Sequence, residues 1–246
     1  MEINEKKDNF HYLLWYFIIF SVAGVLIETL YCYITTGIIE SRKGLIIGPF
    51  CPVYGVGAAL MIWVLDKYKD SDLKLFIAGG ILGAIIEYIL SYILEAIYGA
   101  RFWDYKDYQF NLNGRTALTY TIYWGILAVI LMKYIKNNID KIIEKIPLNK
   151  RNLINILLII FFIFDVIITI WGVTVYQKRV ENEYYGIHIE KREGIRNTIE
   201  EKCFSNDIIK TIFPNLRTRD KDGNTVLVRD LITSKEIEKD QVNQIV

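Results

Sequence analysis

The chain has 246 residues, with 29 Lys and Arg against 28 Asp and Glu, and 52% of it is hydrophobic. A net charge of +1 with only 23% charged residues excludes a broad basic surface for nucleic acid and excludes a disordered acidic chain. The apolar residues fall in long blocks before residue 177 and the rest is polar, which points to a multi-span membrane protein with a polar tail.

The first apolar block runs from Phe10 to about Tyr33. It is too long for the core of a signal peptide and no A-x-A site follows, so it is expected to be a retained span. Five segments are long enough to cross a bilayer: roughly 10–34, 45–65, 75–98, 114–135 and 153–176. Trp15, Trp63, Tyr98, Trp103, Tyr134 and Tyr176 lie near their ends, as interfacial anchors do.

The second segment differs from the others. Its first half packs Gly44, Gly48, Pro49, Pro52, Gly55 and Gly57 into one stretch. Pro52 lacks an N–H and clashes with the preceding turn, so a regular helix through Gly48, Pro49, Pro52 and Gly55 is not expected. Two readings stand: a helix broken or re-entrant at its start beside a functional cavity, or a loop ahead of a short span. Irregular backbone at membrane depth is tolerated only where protein or a wet cavity surrounds it.

With five spans, one side holds eleven basic residues: Lys6, Lys7, Lys67, Lys69, Lys74, Lys133, Lys136, Lys141, Lys145, Lys150 and Arg151. The other holds seven: Arg42, Lys43, Arg101, Lys106, Arg115, Lys178 and Arg179. The bias places the N-terminus inside and the tail outside. Ile135, Ile139, Ile142, Ile143 and Ile146 recur at helical spacing among lysines. That stretch suits either a short amphipathic helix on an anionic leaflet or a polar linker.

The division expected is a transmembrane helical domain over 1–176 and a polar tail over 177–246. Residues 179–203 are expected to be helical. Leu216–Val228 is expected to be a hairpin, because Asp222-Gly223 sits between β-branched runs. Three cysteines and two histidines, His11 and His188, form no CxxC or Cys/His cluster, so neither a metal site nor a cofactor is expected.

Four acids lie inside the apolar segments: Glu28, Glu87, Glu95 and Asp165. Each costs roughly 2.5–3.5 kcal/mol at a span centre, so each needs a partner, water or a bundle interior. Small residues accompany them: Ser21 and Gly24 with Glu28; Gly80, Ala84 and Ser91 with Glu87 and Glu95; Thr169 and Gly172 with Asp165. Such stripes let helices approach closely. Candidate counter-charges and polar partners flank the spans: Arg42, and a loop carrying Arg101, Asp104, Asn111, Asn113 and Arg115. An arginine near a buried glutamate keeps it ionised. Three readings stand for this set: packing ion pairs, a substrate or ion site, or an acid–base pair. Glu87 and Glu95 lie about 12 Å apart along one helix, which is long for a single proton transfer. The chain has no G-x-x-x-x-G-K-[ST], H-E-x-x-H, G-x-S-x-G or G-x-G-x-x-G, so it carries no ATP-binding P-loop and none of these catalytic motifs.

Four motifs together resemble a known family. They are Ser21-x-x-Gly24-x-x-x-Glu28-Thr29-x-Tyr31, Gly48-Pro49-x-Cys51-Pro52-x-Tyr54-Gly55, Glu87-Tyr88-x-x-Ser91-x-x-x-Glu95, and Trp103-Asp104-Tyr105 with Asn111-x-Asn113-Gly114-Arg115. Over roughly residues 13–135 the chain is similar to the bacterial CmpB-like family of ABC-transporter type IV permeases. A Trp-Trp pair usual there is Phe102-Trp103 here. The resemblance implies transport, in a bacterial cytoplasmic membrane, by a subunit that works with a separate ATPase.

The expected fold is an all-α polytopic membrane protein: about five transmembrane helices, the second broken or re-entrant at its start, plus a small α+β tail. The leading functional reading is a permease subunit whose polar cavity is lined by Glu28, Arg42, Glu87, Ser91, Glu95, Arg101, Asp104, Asn111, Asn113 and Arg115. The alternatives are a membrane-embedded enzyme acting on a lipid or envelope precursor and a non-catalytic sensor or assembly factor. The expected partners are the lipid bilayer, a separate ATPase and a second copy of the chain, and not nucleic acid.

Overall fold

A computed structural model of the chain describes residues 2–99, 101–186, 194–220, 222 and 224–231. Four of its helices are long and apolar enough to cross a membrane. They are the Asn9–Thr36 part of α1 (Glu2–Thr36), α3 (Asp72–Tyr98), Leu118–Ile143, and α6 (Leu148–Tyr185). The third of these joins α4 (Leu118–Ile130) through a π-helical turn over Leu131–Ile135 to α5 (Lys136–Ile143). The protein is thus an all-α polytopic membrane protein.

Four of the five expected spans are full-length helices, and the second is a loop followed by a short helix. The second helix, α2 (Pro52–Leu65), has only 14 residues. That is about 21 Å of helix, short of a hydrocarbon core of about 30 Å. The cause lies upstream, where residues 37–51 carry no helix. Gly37 and Gly48 adopt φ of 73° and 72°, a region that favours glycine. The N–H groups of Gly44 and Leu45 both donate to the carbonyl of Phe50, at 2.8 and 3.2 Å, closing a loop on itself. The N–H of Cys51 then donates to the carbonyl of Ser21 at 3.1 Å, near the middle of α1. The chain has therefore returned to mid-depth before α2 starts, and α2 carries it on to the opposite face, where Asp66 lies 3.9 Å from Lys136; the second element is a crossing broken at its start. Pro52 opens α2, where its missing N–H is no loss.

Buried side chains of α6 hold this loop. The Ile47 N–H donates to Asp165 Oδ1 and the Ile46 N–H to Thr169 Oγ1, each at 3.0 Å. Phe50 packs edge-on against Phe162, and Leu45 is buried with Ile18 and Phe162. Backbone donors that would face lipid are thus satisfied inside protein.

Glycines set the two closest helix contacts. A Cβ on Gly24 of α1 would run into the Tyr54 ring, and one on Gly55 of α2 would run into Ser21 and Phe17. Across α3 and α4, Gly79 faces Ala128, Gly80 faces Thr121 and Gly83 faces Trp124. The main core between these helices holds Tyr16, Met61, Leu65, Leu75, Ala128, Leu131 and Ile143. Ile139, Ile143 and Ile146 pack into it, while Ile135 and Ile142 stay exposed. Much of the apolar face of α5 is therefore buried against protein.

α6 runs on through residue 177 to Tyr185 and ends at Gly186, φ 69°. The helix expected over 179–203 is the end of α6 and α7 (Ile195–Cys203); the stretch between them, with His188, lies outside the described residues. α8 (Asn206–Ile212) follows. Strands β3 (Arg217–Arg219) and β4 (Thr225–Leu227), which we number after the pair in the α3–α4 loop, then form the expected antiparallel hairpin; its Gly223 lies outside the described residues. Phe204, Ile209, Leu216 and Val228 of the tail cover Val173, Tyr176 and Val180 of α6.

Side-chain contacts place the ends of the bundle. Asn215 and Arg229 of the tail reach Glu40 at 3.2 and 3.1 Å, and Gln177 donates to the carbonyls of Tyr98 and Arg217. The tail, residues 37–43 and the end of α3 therefore share one face. On the opposite face Tyr16 bonds Asp140, and Lys133 pairs with Asp72 at 2.7 Å.

Candidate functional site

The α3–α4 loop contains a hairpin that composition did not suggest. Strand β1 (Asn111–Leu112) pairs with β2 (Thr116–Ala117) through Asn113 and Gly114, both at positive φ, 54° and 67°. The Arg115 N–H closes the turn on the Leu112 carbonyl at 3.0 Å. This is a type I′ turn, for which Asn-Gly is the favoured pair. It turns Arg115 and Thr116 back onto α3.

On α3, Glu87, Ser91 and Glu95 recur every four residues and so share one face. Glu95 takes two guanidinium partners: Arg101 Nε at 3.2 Å and Arg115 Nη2. Arg115 also donates from Nη1 to Ser91 Oγ at 3.0 Å and lies over the Tyr92 ring at 5.4 Å. Its backbone carbonyl accepts from Trp103 Nε1 at 3.0 Å. Both arginines reach the same oxygen, Oε2, so Glu95 sits in an ion-pair network.

Glu87, two turns earlier, is arranged differently. It is 8% exposed and makes no ion pair among the described residues. The Tyr105 hydroxyl donates to its Oε1 at 3.0 Å. Burial, with the Glu87 charge second, pushes the Tyr105 phenol well above its ordinary value, so it remains a donor. Thr116 and Trp124 stand beside the same carboxylate. Trp124 gets there because Gly83, one turn before Glu87, has no side chain to block it. Glu87 Oε2 and Thr116 Oγ1 are both buried, and neither has a partner in full hydrogen-bond geometry among the described residues. Tyr105 stacks on Tyr120, ring centroids 4.0 Å apart, which closes the aromatic side of the cluster.

The remaining candidates shape the loop or lie elsewhere. Asn111 Oδ1 accepts from the Gly114 N–H, and its amide donates to the carbonyls of Lys106 and Tyr108. Asn113 donates to the Tyr88 hydroxyl at 2.9 Å, and its carbonyl accepts from Arg101. Asp104 Oδ1 accepts from the Lys106 N–H. Glu28 bonds the Tyr54 hydroxyl on α2. Arg42 is not brought to the α3 carboxylates; it contacts Cys32 Sγ at 2.8 Å and Glu40 at 3.5 Å. Of the break residues, Gly48 and Pro49 lie in the loop ahead of α2, Pro52 opens α2 and Gly55 meets α1. Asp165 serves the loop ahead of α2 and not the α3 cluster.

Sequence reasoning passed over Thr116, Trp124 and Tyr105 as site residues. The Asn113-Gly114 pair signalled a turn, but Leu112 pairs with Thr116 across three residues, so a two-residue rule would have put Arg115 there instead. Among the described residues, no group of three or more His, Cys, Asp and Glu side chains is placed to hold a metal ion.

The family model described as "Putative ABC-transporter type IV" matches residues 15–170. The match extends beyond the resemblance over 13–135 to take in Asp165 and Thr169 of α6, the residues that hold the loop ahead of α2. No curated protein and no solved structure matches the chain. The matched stretch exceeds half the chain and contains the whole α3 cluster, and on that ground the protein belongs to the ABC-transporter type IV family, a membrane family related to transport.

Proposed function

We propose that this chain is the permease subunit of an ABC-type transporter in a bacterial cytoplasmic membrane, with its N-terminus in the cytoplasm and its tail outside. One observation carries the reading. Glu87 is a buried acid at membrane depth with no ion pair among the described residues, and a loop hairpin and α4 converge on it. An acid in that position marks a candidate functional site. The family supports transport as the task. The sequence has no P-loop, so ATP hydrolysis would come from a separate subunit. The excess of Lys and Arg on the face of the 66–74 and 133–151 loops supports the orientation. A second copy of the chain would complete the membrane part.

The enzyme reading is weaker on this geometry. Arg101 and Arg115 engage Glu95, which leaves Glu87 without a second free carboxylate for acid–base work.

The test is affinity purification of the intact chain in mild detergent, with mass spectrometry of what accompanies it. A P-loop ATPase should be recovered, by wild type and by Glu87→Gln alike. ATP hydrolysis by the reconstituted complex should lose its substrate stimulation in Glu87→Gln. Recovery of the chain with no ATPase would overturn the permease reading.

A further inference from the structure

Helix α7 packs on α6 through one face. Arg196, Glu200 and Phe204 recur every four residues and all meet Trp171. The Arg196 guanidinium lies 6.0 Å from the Trp171 ring centroid, and Glu200 Oε1 accepts from Trp171 Nε1 at 3.0 Å. The Phe204 ring stands edge-on to Trp171 with centroids 5.0 Å apart, and it also fills the space left by Gly172.

These contacts fix the depth of α7. Gln177 donates to the carbonyl of Tyr98, the last residue of α3, so residue 177 marks the level at which α3 and α6 both leave the apolar layer. Trp171 lies below that level by about 9 Å of helical rise. An amphipathic helix lying in a bilayer interface buries its apolar face about 5–10 Å into the boundary between headgroups and acyl chains. α7 is held at that depth.

The two flanks of α7 differ in the sense that this depth requires. On one side of the Trp171 face lie Ile195, Ile199 and Cys203, and on the other lie Asn197 and Glu201, which bond each other at 3.0 Å. One residue turns a helix by about 100°, so the flanks point away from each other. Ile195 is 83% exposed and Ile199 37%, and Cys203 is exposed, so the described residues leave the apolar flank uncovered. Arg196 is paired with Glu200 at 2.8 Å, and its side chain, 70% exposed, can extend along Trp171 towards the headgroups.

We propose that α7 lies in the interface of the leaflet on the tail's side, with Ile195, Ile199 and Cys203 against lipid acyl chains and Asn197 and Glu201 in water. The occupant of the apolar flank is lipid because the flank sits at the depth of Trp171, where the bundle is surrounded by bilayer. The contact does not depend on which side of the membrane the tail occupies, nor on transport.

The experiment uses the full-length chain, in which Cys203 is exposed, Cys32 buried and Cys51 half-buried. Brief reaction in detergent with a fluorescent maleimide should label Cys203, and Cys203→Ser should remove the label. The labelled chain is placed in nanodiscs and quenched with aqueous iodide or with phosphatidylcholine carrying a nitroxide near the top of its acyl chain. The label at Cys203 should be quenched by the nitroxide lipid and shielded from iodide. A label on Glu201→Cys in the Cys203→Ser chain should show the reverse. Changing Ile195→Gln and Ile199→Gln together should abolish nitroxide quenching at Cys203 and open the label to iodide. Iodide quenching at Cys203 equal to that at Glu201→Cys overturns the proposal. So does shielding of Cys203 from both quenchers, which would mean that protein, such as a second copy of the chain, covers the flank. If the doubly substituted chain does not fold, the comparison of the two labels decides alone.

Discussion

Arg101 and Arg115 pair with the same carboxylate from different surroundings. The Arg115 side chain is 9% exposed and that of Arg101 28%. Removing Arg115 leaves Glu95 with only the more exposed of its two arginines and Ser91 without its donor, so Arg115→Ala should cost about 1–3 kcal/mol. Arg101→Ala should cost about 1 kcal/mol or less, because its pair is wetter and Arg115 remains. Thermal unfolding in detergent should rank the two accordingly; equal losses would show that burial does not set the strength of this network. Arg115→Lys should not restore stability, since an ammonium cannot reach Ser91 and Glu95 with one planar fork. A second residue-scale expectation concerns pH. Arg196 beside it, at 2.8 Å, and then the Trp171 N–H hold the Glu200 carboxyl below its usual range. A lowered value means this contribution is full above the ordinary glutamate value of about 4.3 and is lost as pH falls through the lowered one. Proteolysis of α7 should therefore quicken on acidification below about pH 4, and Glu200→Gln should flatten that dependence.

At the scale of elements, α2 is the informative piece. Its proline and glycine content forecast a break, and the chain does break there. Sequence could not choose between a helix broken or re-entrant at its start and a loop ahead of a short span, because that depends on what receives the loop. The receivers are Asp165 and Thr169, more than a hundred residues away, whose oxygens accept from Ile47 and Ile46. Asp165→Ala should leave the Ile47 N–H unsatisfied at depth and cost about 1–3 kcal/mol. Its local readout is the reaction of Cys51 with a membrane-permeant maleimide in a chain with Cys32 and Cys203 changed to Ser. Labelling should speed up in Asp165→Ala and return towards the parent rate in Asp165→Asn, which keeps the acceptor. No change in rate would mean the loop is held by Phe50 and Leu45 packing alone. The stripe of Glu87, Ser91 and Glu95 was legible because helical spacing alone puts those residues on one face. The assignment of arginines was not. Arg42, Arg101 and Arg115 look equivalent in sequence, and the fold sends the first to Cys32 and Glu40.

For the whole molecule, the tail is fastened to the bundle at several points. Phe204 is 4% exposed, rests on Trp171 and fills the space left by Gly172. Phe204→Ala should cost about 3–5 kcal/mol in that cluster and release α7 and α8 to limited proteolysis while the four long helices stay protected. Loss of protection in the helices as well would mean that tail and bundle unfold as one unit. Arg229 and Glu40 add a clasp across the same face, expected to contribute under about 1 kcal/mol in a double-mutant cycle because Arg229 is 44% exposed. Sequence by itself determined that the chain lives in a membrane, which segments are helical, and which helix faces are small and polar. Those follow from hydropathy and from a period of 3.6 residues, both local properties. Only tertiary structure decided that the helix of the second element starts at half-depth, that Glu95 takes two arginines while Glu87 takes none among the described residues, and that Thr116 and Trp124 belong beside Glu87. Each of those depends on which distant side chain arrives at a given buried polar group, and burial makes that pairing energetically decisive without leaving a spacing in the sequence to read.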